Sequence, residues 1–283
     1  YKENIPWRKE SFWSPEYHKY GRDFTPPTYS WHLDRVLSGI YTDTGDEKYA
    51  REAINLRMQW ILDNSPSPRV TGIPPNHQIW NELISGGRAP GHGTLPYARL
   101  YNYPGWTDDE RLVYFLFWHD NAEYLYQSNV GGNWGVQTAE NSRNFGIDFP
   151  EYKMSPNYVE WGSKRLVELT RYTVRGDGTQ NEAAIKYHAM IARRLKSLLD
   201  DHDSGRAQLA EKDVPELRDL LERMYVWMAY TLQPNNYVAM VADSWYENYS
   251  DELLEVARKL DRQDLVWIAT QGREGKMPEE TSK

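Results

Sequence analysis

The 283-residue chain contains no cysteine. Disulfides, thiolate zinc sites and cysteine nucleophiles are thereby excluded together. The compartment stays open, because exported proteins can also lack cysteine. A basic surplus is missing too: 33 lysines and arginines face 41 aspartates and glutamates, a formal net charge of -8. A general binder of nucleic acid or of anionic membranes carries the opposite balance. No apolar run approaches the roughly 18 residues that a spanning helix needs. The sequence opens at Tyr1 without a basic-then-apolar leader; leaders are removed on export, so location is not decided by this. Period-two alternation, the mark of half-buried strands, is almost absent.

Aromatic residues are abundant, with 12 Trp, 21 Tyr and 6 Phe making 14% of the chain. Trp and Tyr pair an apolar face with a polar handle, which suits either a large helical core or a surface for sugar rings. Hydrophobic residues at 40% and charged residues at 26% are those of a folded globular protein.

Residues 1–29 read as an irregular arm, polar and broken by Pro26-Pro27; residues 30–283 read as one helical domain. Trp31, Leu33, Val36, Leu37 and Ile40 fall at helical spacing, and after Thr42-Asp43-Thr44-Gly45-Asp46 the pattern resumes from Lys48 to Leu62. Residues 64–77 read as loop. Further helices are expected over about Gln78–Gly86, from Thr107-Asp108-Asp109-Glu110 through Tyr126, and near Thr138–Phe145, Tyr158–Tyr172, Asn181–Leu199, Val214–Leu232, Asp251–Arg262 and Leu265–Thr270. Thr107 is a capping threonine, with acids in the first turn. The predicted fold is all-α, of stacked antiparallel hairpins. For so many helices the closed form is an α/α toroid, a four-helix bundle being too small.

Three segments carry most of the chemistry-bearing side chains. In Trp80-Asn81-Glu82-Leu83-Ile84-Ser85-Gly86-Gly87-Arg88, Arg88 follows two glycines. It either presents its fork to a carboxylate or sulfate or answers a helix C-terminus. In Gly131-Gly132-Asn133-Trp134-Gly135-Val136-Gln137, the glycines allow close approach of a ligand and Asn133 offers donor and acceptor. Asn133 is equally at home in a turn. In Arg175-Gly176-Asp177-Gly178-Thr179-Gln180-Asn181-Glu182, a turn leads to a helix bearing Tyr187 and His188, a pair that packing alone could explain.

Taken in order, these motifs resemble the heparinase II/III-type polysaccharide lyases. The resemblance rests on Trp80-x-x-Leu83-x-x-Gly86-x-Arg88, Asn133-Trp134, Gly146-x-x-Phe149-Pro150-Glu151 and Asp177-Gly178-x-Gln180-x-Glu182 with Tyr187-His188. Ala242-Asp243-Ser244-Trp245 resembles a later loop of the same domain. One departure is Ala183-Ala184-Ile185-Lys186, where the family often has Ser-Pro; it bears on where the helix begins.

The resemblance implies an α/α toroid that works with an antiparallel β-sandwich of the same protein, which contributes a catalytic histidine. No strand-rich segment precedes Lys283, so the chain is expected to be the toroid half. It also implies β-elimination on a uronic-acid-containing polysaccharide of heparan sulfate or alginate type, with no nucleic acid and no membrane span. In that scheme Asn133 neutralises the uronate carboxylate, Arg88 assists, and Tyr187 is base, acid or both. Its ionisation is helped by positive charge from His188, Arg88 or the sandwich. Substrate contacts are expected from Trp134, Glu182, Gln180, His77, His92 and Trp245, with Glu182 alternatively capping its helix. A basic cleft is expected from Arg88, Arg143, Lys153, Lys164 and Arg165. No cofactor and no metal are expected in this chain, since the histidines are scattered. Secretion or a bacterial periplasm follows from the resemblance alone. Two rival readings are a toroid hydrolase using Asp148, Glu151, Glu140 and Glu182, and a non-catalytic glycan-binding domain.

Overall fold

The computed structural model describes residues 31–64, 95–207 and 209–279. Ten α-helices carry these residues: α1 Trp31–Thr44, α2 Glu47–Asn64, α3 Leu95–Leu100, α4 Asp108–Leu125, α5 Gly132–Asp148, α6 Ser155–Thr173, α7 Ile185–Asp203, α8 Val214–Thr231, α9 Ser250–Lys259 and α10 Gln263–Ala269. Among the described residues there is no regular strand, only isolated bridges at Val174–Gln180, Leu232–Val238 and Tyr237–Asn248. None of the described helices is long and apolar enough to cross a membrane. The all-α expectation holds. The predicted arm 1–29 and the predicted helix at 78–86 lie outside the described residues.

The chain divides into two compact units, 1–162 and 163–283. In the first, α1 and α2 form a hairpin closed by Gly45, whose φ of 69° is left-handed. A buried ion pair ties the hairpin together: Arg57 Nε donates to Asp34 Oδ2 at 2.8 Å, and Arg57 Nη2 contacts the same oxygen. The Arg57 guanidinium also lies 5.7 Å from the Trp118 ring centroid. Burial raises the Asp34 carboxyl to about 6, against the pull of Arg57. Around this pair the core is aromatic, with Trp60, Trp106, Tyr114, Phe117, Trp118, Phe145 and Tyr158 all buried. The rings meet edge to face, as at Trp60–Phe117, 5.5 Å, and Trp106–Tyr114, 5.3 Å. At the head of α4 the expected cap is present: the Glu110 amide donates to Thr107 Oγ1 at 3.3 Å, and the Thr107 amide donates back to Glu110 Oε2 at 3.0 Å.

In the second unit α7 and α8 pair, and α8 packs against α9 and α10. The buried stripe of α7 runs through His188, Ile191, Ala192, Leu195, Leu198 and Leu199, the spacing of one helix face. In α8, which packs against it, Leu217, Leu220, Leu221, Met224 and Met228 are buried.

One element and two helix starts differ most from the sequence reading. Helix α3 was not anticipated. Helix α5 begins at Gly132 rather than near Thr138, because burial of Gly135, Val136 and Ala139 overrides the poor helix propensity of its glycines. Helix α7 begins at Ile185 rather than Asn181, because Ala183 takes a left-handed φ of 56° that stops the helix from starting earlier.

Candidate functional site

The turn before α7 is built backbone first. Asp177 Oδ1 accepts from the Thr179 amide at 2.9 Å, and the Gly178 amide donates to the Arg175 carbonyl at 2.9 Å. Gly178 has a φ of +90° and sits against α8, where an added Cβ would meet the Arg223 carbonyl oxygen at 2.5 Å. Gly178→Ala is therefore expected to lower unfolding stability by about 2 kcal/mol or more, measured by chemical denaturation; an unchanged midpoint would contradict this packing. Gln180 is fully enclosed here. Its Oε1 accepts from the Glu182 amide at 2.8 Å, so its side chain braces the turn instead of reaching a sugar. Glu182 is exposed and precedes α7, whose N-cap is Ala184 with no side-chain cap bond. Glu182 therefore stands ahead of α7 rather than in its first turn.

His188 and Tyr187 separate by about 100° around the helix, and their fates diverge. His188 is 1% exposed, contacts the Met224 carbonyl through Nε2 at 2.9 Å, and packs on Trp227 with ring centroids 4.5 Å apart. Burial pushes its pKa down to about 4, partly offset by the Met224 carbonyl. A neutral, enclosed His188 gives Tyr187 no positive charge, which corrects that part of the sequence reading. Tyr187 lies outside the buried stripe and is only partly covered.

Tyr187 belongs instead to a corner formed by the start of α7 and the 242–247 loop. The Ile185 amide donates to Ser244 Oγ at 2.8 Å, so a side chain 59 residues away caps α7. Lys186 Nζ lies 3.0 Å from the Trp245 ring centroid and 5.8 Å from that of Tyr187. The Asp243 carboxylate is close enough to act on the Tyr187 hydroxyl electrostatically. Burial first, then Asp243 and Glu182, raise this hydroxyl above the usual tyrosine range. Burial lowers the Lys186 ammonium, while Glu247 and Asp243 oppose that shift. Ala183 and Ala242, which flank this corner in sequence, both hold left-handed backbones, with φ of 56° and 50°. Non-glycine strain of this kind concentrates where function over-determines the geometry. The sequence motifs include Lys186, Asp243 and Ser244 but assign a site role only to Tyr187 and Trp245.

In the first unit, Asn133 and Trp134 occupy the first turn of α5, a helix rather than the expected loop. Gly131 caps it without a side chain, and no acid stands in its first turn. Backbone amides there, with the helix dipole behind them, favour an anion. Asn133 is partly exposed and adds an amide to the same end. Arg143, expected in a basic cleft, is 1% exposed and packed under Gly162; it is a core residue. Arg165 is paired with Glu168 at 3.4 Å. Arg88, His77 and His92 lie outside the described residues. Among the described residues no three His, Asp or Glu are grouped to hold a metal ion.

The profile of the family described as Heparinase II/III N-terminus matches residues 1–263. A heparin-sulfate lyase of Pedobacter heparinus is 26% identical over 266 residues, covering 89% of this chain and 39% of the relative. One from Bacteroides thetaiotaomicron is 26% identical, covering 77% of this chain and 31% of the relative. The chain thus spans about two-fifths or less of the length of these two relatives. Among solved structures, the heparan sulfate lyase HepC of Pedobacter heparinus is 25% identical with a TM-score of 0.65, over 89% of this chain and 40% of that one. A heparinase III crystal structure gives a TM-score of 0.74 at 22% identity, over 86% of this chain and 38% of that one. These likenesses give the fold class as all-α, of the α/α-toroid kind expected from the sequence.

Proposed function

Because the chain belongs to the Heparinase II/III N-terminus family, we propose that it is the helical part of a polysaccharide lyase cleaving a uronic-acid-containing glycan, of heparan sulfate or alginate type, by β-elimination. The observation that carries this reading is the corner at Tyr187. A partly accessible tyrosine there is held between two strained alanines, with its loop pinned by Ser244.

The proton at C5 of a uronate is very weakly acidic while the neighbouring carboxylate keeps its charge. Hydrogen bonds to that carboxylate stabilise the enolate-like species that forms as the proton leaves. Asn133, with the amides at the head of α5, takes this role. Tyr187 supplies a proton to the departing O4 oxygen and, once ionised, accepts the C5 proton. A phenol is protonated at neutral pH, and burial, then Asp243 and Glu182, raise this one further, so as found it is an acid. Trp245, 60% exposed, offers a face to a sugar ring. A β-sandwich of the same protein completes the site, and the protein acts outside the bacterial cytoplasm.

The test uses the protein at the length its source produces. Asn133→Ala should slow elimination on a free uronate about 10²-fold or more, the loss typical of an oxyanion-stabilising donor. The same variant should be close to wild type on a methyl-esterified uronate, whose carboxyl carries no charge to neutralise. Equal losses on both substrates would remove Asn133 from this role.

A further inference from the structure

A cleft of about 610 Å³ in the first unit is lined by Tyr97, Tyr101, Asn102, Asp148, Phe149 and Glu151, among others. That volume lies in the range of small-molecule sites. The cleft sits at the C-terminal end of α5, whereas Asn133 is in its first turn. At 1.5 Å rise per residue, Asn133 and Asp148 stand about 22 Å apart along the helix. The lyase chemistry proposed above makes no use of this cleft.

Its aromatic floor is pre-set. Tyr97 is edge-on to Tyr101 at 5.7 Å, to Phe149 at 5.8 Å and to Phe115 at 4.7 Å. Tyr101 is 52% exposed, and the Arg111 guanidinium lies 5.6 Å from its ring centroid. A ring held this way loses little freedom when a ligand lands on it. Asp148 and Glu151 are exposed and supply only acceptors, while the Asn102 amide supplies both donor and acceptor. An apolar face beside acceptors for neighbouring hydroxyls matches the two sides of a pyranose ring. Two carboxylates also repel a uronate or a sulfate.

We propose that this cleft binds an uncharged sugar residue of a glycan, stacked on Tyr101 and hydrogen-bonded through its hydroxyls to Asp148 and Glu151. The site would hold a chain away from the reacting sugar, and it stands whether or not the lyase reading does.

The test is calorimetric titration of the chain with an uncharged oligosaccharide, a tetramer of N-acetylglucosamine. Saturable binding is expected, weakened tenfold or more in Tyr101→Ala and by less than threefold in Tyr101→Phe. Glu151→Gln should weaken it, and a uronate oligosaccharide should not compete. The absence of saturable binding, binding unaffected by Tyr101→Ala, or displacement by a lysine-rich peptide but not by a second neutral sugar would overturn the proposal. Failure of the lyase reading would appear differently, as intact binding with no elimination product in a separate assay.

Discussion

Tyr187→Phe should reduce elimination by about 10²- to 10⁴-fold, the usual contribution of a positioned proton donor or acceptor. The ring and its partial burial are kept, so thermal unfolding should barely move. Asp243→Asn gives the companion result. The Asp243 carboxylate helps to raise the Tyr187 hydroxyl, and the amide removes that charge while keeping the shape. The limb of the pH–rate profile that reports Tyr187 should therefore move to lower pH. If Tyr187 acts as base, the rising limb moves; if it acts as acid, the falling limb moves. The shape of the profile thus identifies the proton step. A profile that stays in place would separate Asp243 from Tyr187.

The second large effect concerns stability. Arg57→Met should cost about 3–5 kcal/mol, because it leaves the Asp34 carboxylate buried without its partner. The sign of the pH dependence is fixed. The folded-state pKa of Asp34 is about 6, above the ordinary 3.8, so the folded state binds the extra proton between these values. The stability this contributes is present below about pH 4 and lost as pH rises through about 6. Without Arg57 the preference for the protonated form grows. The deficit of the variant should therefore be largest at neutral pH and shrink towards pH 5, as read by urea denaturation at both pH values. A constant deficit would mean that the loss is one of packing alone.

Much of this architecture is legible in the residues. Thr107 and Glu110 three positions on announce the head of α4, and that cap forms. The periodicity of Ile191, Leu195 and Leu198 gives the buried face of α7. Extended back one turn, it also places His188 inside and Tyr187 outside, a distinction that treating the two as a pair obscures. What escaped has local causes. Gly131, Gly132 and Gly135 hide the helix that starts among them, since the burial of Gly135, Val136 and Ala139 that holds it is a tertiary fact. The positive φ of Ala183 cannot be read from an alanine. Ser244 caps α7 from 59 residues away, and no short-range pattern encodes that contact. Lys186 and Asp243 matter only because this cap brings their segments together.

The most direct test of the account is the identity of the product made from an acidic polysaccharide by the protein at its natural length. Ultraviolet absorbance would be followed across heparan sulfate, alginate and chondroitin, and the mass of the released oligosaccharide measured. The account predicts conjugated absorbance and a new non-reducing end lighter by one water than a hydrolysis product. A saturated, hydrated end on every substrate cleaved would contradict it and turn attention to paired carboxylates.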